Sequence, residues 1–376
     1  MRPTPPHYHK TMPFDVRDFP EGAEAAARTR RLVGGWLLLI AFMVFVMIVL
    51  GGATRLNGSG LSIMEWAPLS GALPPLSTAE WQRLFRLYQQ IPQYTLLHDG
   101  FGLAGFQQIF WLEWTHRLWG RLLGVAFLGP LIWFWTQGAI ERRLRPRLAV
   151  LFGLGALQGA VGWFMVASGF FPDSIAVAPD RLVVHLVLAL LLYAALIWTG
   201  LSVLHPAPPA GPAAPRRWLR AVLGVLALTI IAGGFTAGLH AGKIYTTFPL
   251  MDGRLVPDSY ATLHPFLRNL TENLAAVQFD HRLLATVTAL LVAATVAIGL
   301  RRGQPAPLRR ALLALGGLVV VQYALGVVTL LHAAPPGLAT LHQAVAVLLF
   351  TAVIVALHAA RTAAPPRPLE LIPEPT

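Results

Sequence analysis

LVGGWLLLIAFMVFVMIVLGG, residues 32–52, is an apolar run without a single charged side chain. A helix of about 20 such residues crosses the hydrocarbon core of a bilayer. Seven further runs meet this criterion, and the predicted spans are Leu32–Gly52, Leu118–Gly138, Leu148–Ser168, Leu182–Leu204, Ala221–Leu239, Leu283–Leu300, Ala311–Leu331 and Leu338–Ala360. Because backbone in hydrocarbon must satisfy its own hydrogen bonds, we predict an all-α membrane protein with eight transmembrane helices.

The composition also favours a membrane protein and narrows its chemistry. Hydrophobic residues make up 55% of the 376 residues, and charged residues make up 12%. The chain has no cysteine, which excludes disulfides, iron–sulfur clusters and thiolate-ligated haem. Histidine is therefore the strong metal ligand that remains, and the chain has 12 of them.

The charge distribution predicts how the chain is oriented. The net charge is +12, and the arginines cluster in alternate connections, near Arg30, Arg143, Arg217, Arg301 and Arg361. This positive-inside pattern predicts a multi-pass protein of the inner (cytoplasmic) membrane with both termini in the cytoplasm. The basic charge then faces anionic membrane lipid, and we expect no nucleic-acid partner.

The chain divides into two halves that resemble each other. Gly51-Gly52 in the first half corresponds to Gly233-Gly234 in the second, and Gln158-x-x-x-Gly162 corresponds to Gln322-x-x-x-Gly326. Since each half has four spans, both enter the membrane in the same direction, which predicts two parallel-repeat four-helix bundles. The predicted domains are a cytoplasmic N-terminal tail (1–31), an N-terminal bundle (32–204), a proline-rich linker (205–217), a C-terminal bundle (218–360) and a cytoplasmic C-terminal tail (361–376).

Four histidines are predicted to share one depth near the outer face. His116, His185, His281 and His342 stand at the outer beginnings of the second, fourth, sixth and eighth spans. A porphyrin between two helices needs one imidazole from each at matching depth, so the pattern favours two axial ligand pairs. The alternative is a set of hydrogen-bonded histidines at the membrane interface, which four equivalent positions disfavour.

Other residues near these histidines are candidates for supporting roles. One turn further along each span stands a small residue that would leave room for a macrocycle, namely Gly120, Ala189, Ala285 and Ala346. His240 and His332 follow the fifth and seventh spans at the outer surface, where either could line a site.

The repeat is broken one helical turn before the first histidine of each half. Glu113 precedes His116, whereas Gln278 precedes His281. A carboxylate at this position can reach the porphyrin edge or tune a proton, which an amide cannot do. The alternative is an exposed carboxylate that the dipole of a helix N-terminus favours. The asymmetry predicts that the two haem positions differ chemically and that the N-terminal one is reactive.

Several long strings resemble the heme A synthase family in its proteobacterial and mitochondrial form. EWTHRLWGR (113–121) carries the resemblance most clearly, and GATRLNGSGLSIMEW (52–66), QGAVGWFMVASG (158–169), GLHAGKIY (238–245), FPLMDG (248–253) and QFDHRL (278–283) extend it. The resemblance covers the chain from about Leu32 to Ala360. Some bacterial members carry a cysteine pair in the outer loop; this chain has none, so a thiol-based step is excluded.

The resemblance implies an oxidoreductase that converts a methyl group of heme O to a formyl group by successive hydroxylations, giving heme A for cytochrome oxidase. It implies that His281 and His342 bind the iron of a stable haem b in the C-terminal bundle. It further implies that His116 and His185 bind the iron of heme O in the N-terminal bundle, with Glu113 as the essential carboxylate.

Cationic side chains and partner proteins complete the expectations. Haem propionates need cations, and we assign Arg117 and Arg282 to them first, with Arg121, Arg55 and Lys243 as further candidates. The expected protein partners are heme O synthase and cytochrome oxidase assembly factors, and a homo-oligomer is left open. Two alternative functions are a di-haem cytochrome b that only relays electrons and a haem carrier or assembly factor.

Overall fold

Eight long helices make up most of the computed structural model, which describes residues 19–172, 174–206, 215–301 and 303–361. They are α1 (Phe19–Leu56), α2 (Leu103–Thr136), α3 (Arg145–Ala167), α4 (Pro179–Leu204), α5 (Arg216–Gly238), α6 (Leu274–Leu300), α7 (Ala306–Leu331) and α8 (Pro336–Ala359). Each is long and apolar enough to cross a membrane. The described part of the chain contains no β-strand, so the predicted all-helical membrane class is confirmed.

The predicted tails and linker fall largely outside the described residues. Residues 1–18, 207–214 and 362–376 are not among those described, whereas α1 already begins at Phe19, within the predicted tail. Large apolar side chains on the long helices stay exposed, as at Phe42, Val125 and Leu191. Such extended apolar surface is what a lipid environment would cover.

Two helices begin earlier than hydropathy predicts. α2 starts at Leu103, and Phe106 in its first turn is fully buried against Tyr88 of the helix Thr78–Tyr88 in the outer connection. α6 starts at Leu274, capped by Asn273. These first turns pack against the outer connections of the protein, so a hydropathy search for transmembrane spans does not find them. The structure corrects the predicted boundaries, and His116 and His281 lie inside their helices.

Glycines bring α1 and α4 into close contact. A Cβ atom added to Gly34 would lie 2.6 Å from Cγ of Leu204, and one added to Gly200 would lie 2.9 Å from Cδ2 of Leu38. Without these glycines the backbones of the two helices could not approach so closely. The contact joins α1 and α4 closely within the N-terminal half.

The two halves meet through α1 with α8 and through α4 with α5. The amide of Gln343 lies against Gly52, and its Nε2 donates to the carbonyl oxygen of Ile48 at 2.9 Å. On the other side, a Cβ added to Gly234 would lie 3.0 Å from Cγ2 of Val183. Gly52 and Gly234 are equivalent in the predicted repeat, whose arrangement as two bundles stays a prediction.

The connections after α1 and α5 cover the end of the helices that carries the four histidines. The first contains the helices Thr78–Tyr88 and Pro92–Leu97. The second is built from short 3-10 turns, at Ala241–Lys243, Asp258–Ala261 and Phe266–Arg268. Each connection supplies backbone carbonyl groups to the helix that follows it, and this contact forms part of the site.

Candidate functional site

Each of the four histidines packs against a glycine of the long helix before its own. A Cβ atom added to that glycine would fall 2.9–3.1 Å from the imidazole ring. The glycine–histidine pairs are Gly51–His116, Gly162–His185, Gly233–His281 and Gly326–His342. Interiors are close-packed, so any side chain at these glycines would push the imidazole aside. Each of the four rings therefore occupies a glycine niche, although His116 meets its glycine with Nε2 and the other three rings meet theirs with Cε1.

These niche glycines are distinct from the small residues that the sequence predicts to leave room for a macrocycle. Gly120 faces Cε of Met47 at 3.2 Å, and Ala189 lies in the buried core between helices. The niche-forming glycines were visible in the sequence as the two Gly-Gly pairs and the two Gln-x-x-x-Gly strings. Their role was missed because they lie on different helices from the histidines that they contact.

His281 and His342 face each other at a separation that suits a shared iron. Their ring centroids are 6.4 Å apart, and their planes are nearly perpendicular, at 88°. An imidazole nitrogen lies about 2 Å from a bound metal and the ring centre about 1 Å further, so two axial ligands place their centroids about 6 Å apart. The separation of these two rings therefore fits a bis-imidazole haem.

The His281 ring is oriented by a second hydrogen bond. Its Nδ1 lies 3.0 Å from the carbonyl oxygen of Thr229 in α5. A carbonyl oxygen can only accept, so Nδ1 carries the proton and Nε2 keeps its lone pair free for a metal. The amide nitrogen of Gln322 lies 3.2 and 3.3 Å from the two ring nitrogens of His342.

The N-terminal histidines, His116 and His185, occupy the niches at Gly51 and Gly162. Nε2 of Gln158 donates to the carbonyl oxygen of His185 at 3.0 Å. Nδ1 of His185 and Oε1 of Gln158 are buried, and neither has a hydrogen-bond partner among the described residues. Buried polar atoms are normally satisfied, so this niche contains polar groups suited to a polar or metal-bearing ligand.

Glu113 is buried, and both of its carboxylate oxygens are occupied. Its exposed fraction is 2%. The hydroxyl of Ser62 and the backbone N–H of Ile63 donate to Oε2 at 2.7 and 3.0 Å. Arg117 donates to Oε1 from Nε at 2.9 Å and from Nη2 at 2.6 Å. The alternative of an exposed carboxylate at a helix N-terminus is therefore wrong, and Glu113 is one partner of a buried ion pair in which two nitrogens of Arg117 donate to the same oxygen.

The arginine that follows each first histidine binds the outer connection of its half. Arg117 donates to the carbonyl oxygens of Ile63 and Glu65 at 2.6 and 2.7 Å. Arg282 donates to the carbonyl oxygens of Tyr245 and Thr247 at 2.8 and 2.9 Å. Both predicted propionate ligands thus anchor loop backbone directly above the histidine layer.

Gln278 occupies the place of Glu113 in the C-terminal half. Its Nε2 donates to the carbonyl oxygen of Tyr245 at 2.9 Å. Its Oε1 is buried and has no hydrogen-bond partner in the described ranges. The amide therefore attaches α6 to the outer connection without supplying a negative charge.

His240 and His332 form hydrogen bonds with groups other than the four histidines. Nε2 of His240 lies 3.1 Å from Nη2 of Arg55, which also donates to the carbonyl oxygen of Gly238 at 2.9 Å. Burial, followed by the nearby charges of Arg55 and Lys243, lowers the pKa of His240. Nδ1 of His332 lies 2.8 Å from the carbonyl oxygen of Val328 in its own helix, and its side chain is exposed.

Comparisons with known proteins give one consistent result. A family model described as "Cytochrome oxidase assembly protein" matches residues 34–354. The chain is similar to "Heme A synthase" of Granulibacter bethesdensis, with 61% identity over 89% of each chain. It is 48% identical to "Heme A synthase 2" of Acidiphilium cryptum, over 89% of this chain and 93% of that one. It is 47% identical to "Heme A synthase" of Rhodospirillum centenum, over 92% and 93%.

Proposed function

This chain belongs to the cytochrome oxidase assembly protein family, and from that premise we propose that it is a heme A synthase, an oxidoreductase that converts heme O to heme A. The structural observation that carries the proposal is the set of four histidines on four helices, each packed against a glycine of the preceding long helix. One pair is spaced for a shared iron, and a buried carboxylate stands beside the other.

The C-terminal half is proposed to hold the resident cofactor, a haem b, through His281 and His342. The bond from Nδ1 of His281 to Thr229 supports this assignment, because it fixes one ring with Nε2 free. A haem with two imidazole ligands supplies one-electron transfer when it is bound. Nε of Arg282 is buried without a partner in the described residues, which supports it as a donor to a propionate.

The N-terminal half is proposed to receive heme O, with His116 and His185 as iron ligands. No axial position is open for oxygen while both imidazoles bind, which favours removal of electrons from the substrate followed by attack of water on its methyl group. Conversion of the methyl to the formyl group with the oxygen of one water removes four electrons and four protons. The haem proposed for the C-terminal half would pass the electrons one at a time to an external one-electron acceptor. Glu113 is the proposed group that accepts a proton or stabilises the positive charge that develops as electrons leave the substrate.

The fixed geometry of Glu113 supports a role in the reaction. Four hydrogen bonds prevent the carboxylate from rotating, so it would need little reorganisation when charge develops near it. The nitrogens of Arg117 already donate to Glu113 and to two loop carbonyls. Its main proposed role is therefore to position Glu113, and contact with a propionate is secondary. Nη1 of Arg121, buried and without a partner in the described ranges, is a further candidate for that contact.

The remaining proposals concern the cellular setting. We assign the protein to the inner membrane with both termini in the cytoplasm, which places the histidine layer near the outer face. Heme O synthase is the proposed source of substrate, and factors that assemble cytochrome oxidase are the proposed recipients of heme A.

The test is production of heme A by the purified or co-expressed chain. The protein is expressed with a source of heme O, and the extracted haems are separated by chromatography. We expect heme A from the wild type and heme O alone from Glu113→Ala and His116→Ala. Unchanged heme O from well-folded wild-type protein would contradict the proposal, and it is the result that a pure electron relay or a haem carrier would give.

A further inference from the structure

α2 and α3 enclose a window between two aromatic contacts. Near the cytoplasmic end, Phe127 of α2 stacks on Phe152 of α3, with centroids 6.2 Å apart. Near the outer end, Trp163 of α3 stacks on Trp66 of the outer connection, with centroids 5.8 Å apart. The two contacts are separated by about 16 Å along α3. The two helices are therefore in contact near their cytoplasmic ends, and Trp66 of the outer connection covers α3 near its outer end.

Between the aromatic contacts, α3 presents glycine and open space. No atom of the described residues lies within 4 Å of a Cβ added to Gly155 or to Gly159. Gly159 is exposed, and so is Gly124 of α2, three residues before Phe127, where an added Cβ also meets no atom of the described residues within 4 Å. The window thus opens toward the surface that lipid would cover.

The corresponding place in the C-terminal half is closed. Tyr323 of α7, equivalent to Gly159, forms a hydrogen bond of 3.0 Å with Thr286 of α6. Its ring also contacts that of Phe248, at 6.4 Å between centroids. Val319, equivalent to Gly155, is buried. One half therefore has a bridged pair of helices where the other half has a gap.

On the side that faces the protein interior, the window reaches the N-terminal histidine pair. Gly162, one turn from Gly159 on α3, forms the niche of His185. The two buried polar atoms without a partner in the described residues, Oε1 of Gln158 and Nδ1 of His185, lie on this side. A molecule bound between His116 and His185 would have this opening directly beside it.

We propose that the window between α2 and α3 binds the isoprenoid tail of the substrate and is the route by which the substrate leaves the bilayer. This inference rests on the proposed function, because heme O carries a long apolar tail whereas haem b does not. The C-terminal half, whose helices are bridged by Tyr323, has no opening for a tail, which agrees with a resident haem b that has none. The N-terminal half has such an opening, which agrees with a tailed substrate that must enter and leave. The glycines leave room for the isoprenoid tail between the helices, and the end of the tail lies among the lipid chains.

The test places a tyrosine in the window. Gly159→Tyr copies the residue of the closed half, and Gly153→Tyr is the matched control, since Gly153 also faces open space among the described residues but lies on another side of α3. Heme O and haem b are each titrated into the wild type and both variants in lipid nanodiscs. The readout is the increase of Soret absorbance above that of the resident haem, together with heme A formation.

We expect Gly159→Tyr to weaken heme O binding and to slow heme A formation by about tenfold or more. Haem b binding and the behaviour of Gly153→Tyr should match the wild type. Unchanged heme O binding in Gly159→Tyr overturns the inference and would leave an ordinary lipid chain as the occupant. Equal loss of both haems also overturns it, because the porphyrin niche itself would then be disturbed. The binding measurement does not require the wild type to make heme A. Absence of heme A would therefore contradict the proposed function, whereas unchanged heme O binding in Gly159→Tyr would contradict the proposed tail site.

Discussion

Ser62 donates a hydrogen bond of 2.7 Å to Oε2 of Glu113, across a sequence separation of 51 residues. The bond ties the outer connection to the helix that carries His116. Together with the two hydrogen bonds from Arg117 to Oε1, it holds the carboxylate in a fixed position one helical turn before His116. In the C-terminal half, the uncharged amide of Gln278 makes the matching contact by donating to the carbonyl oxygen of Tyr245 in the outer connection.

Ser62→Ala removes one donor from this buried carboxylate. We expect the free energy of unfolding to fall by about 1–3 kcal/mol, because a buried charged acceptor loses a partner. Heme A formation should fall as well, since Oε2 is then held only by the backbone of Ile63. Thermal unfolding in detergent and haem extraction measure the two effects. Ser70→Ala, at an exposed position of the same connection, is the control, and identical results for the two variants would argue against the bond.

Glu113→Gln keeps the shape of the side chain and removes its charge. Breaking a buried ion pair by changing one partner costs about 3–5 kcal/mol. Heme A formation should fall by about 10²-fold or more if the carboxylate handles a proton. The Soret band of the resident haem should stay at wild-type intensity, because His281 and His342 belong to the other half. Full activity of this variant would remove Glu113 from the reaction.

Gly233→Ala tests the niche of the resident haem. The added Cβ would lie 2.9 Å from Cε1 of His281, so the ring must shift and its bond to Thr229 must lengthen. We expect a weaker or altered Soret band and loss of haem during purification. Gly224→Ala, on the same helix but facing open space among the described residues, should behave as the wild type. A normal spectrum in Gly233→Ala would exclude a ligand role for His281 in this geometry.

The pH dependence of the outer connection should follow Glu65. The Arg83 guanidinium, 2.8 Å away, lowers the pKa of Glu65 chiefly through its hydrogen bonds, against an opposing effect of burial. A carboxylate with a depressed pKa in the folded state stabilises it above the unfolded pKa, and that stabilisation is lost as the pH falls through the folded value. Limited proteolysis of this connection should therefore accelerate on acidification. Arg83→Gln should reduce the pH dependence, and an unchanged profile in that variant would contradict the pairing.

Much of the fold follows from hydropathy alone. Apolar density within one segment is a local property, so all eight spans could be predicted. The starts of α2 and α6 could not, because Phe106 is buried by Tyr88, a residue of a different helix, and hydropathy cannot identify such a partner. The same reason explains why the sequence does not identify Gly51 as the residue that makes room for the imidazole of His116, which lies on a different helix.

The sequence by itself determined the membrane class, the four histidines at equivalent positions, and the exchange of Glu113 for Gln278. These are matters of residue type and spacing within single helices. Only the tertiary structure decided that Gly162 and Gly233 form histidine niches, that Ser62 meets Glu113, and that Gly159 faces open space where Tyr323 bridges two helices. Those relationships join residues on different segments, and their distances are set by helix packing, which no local pattern specifies.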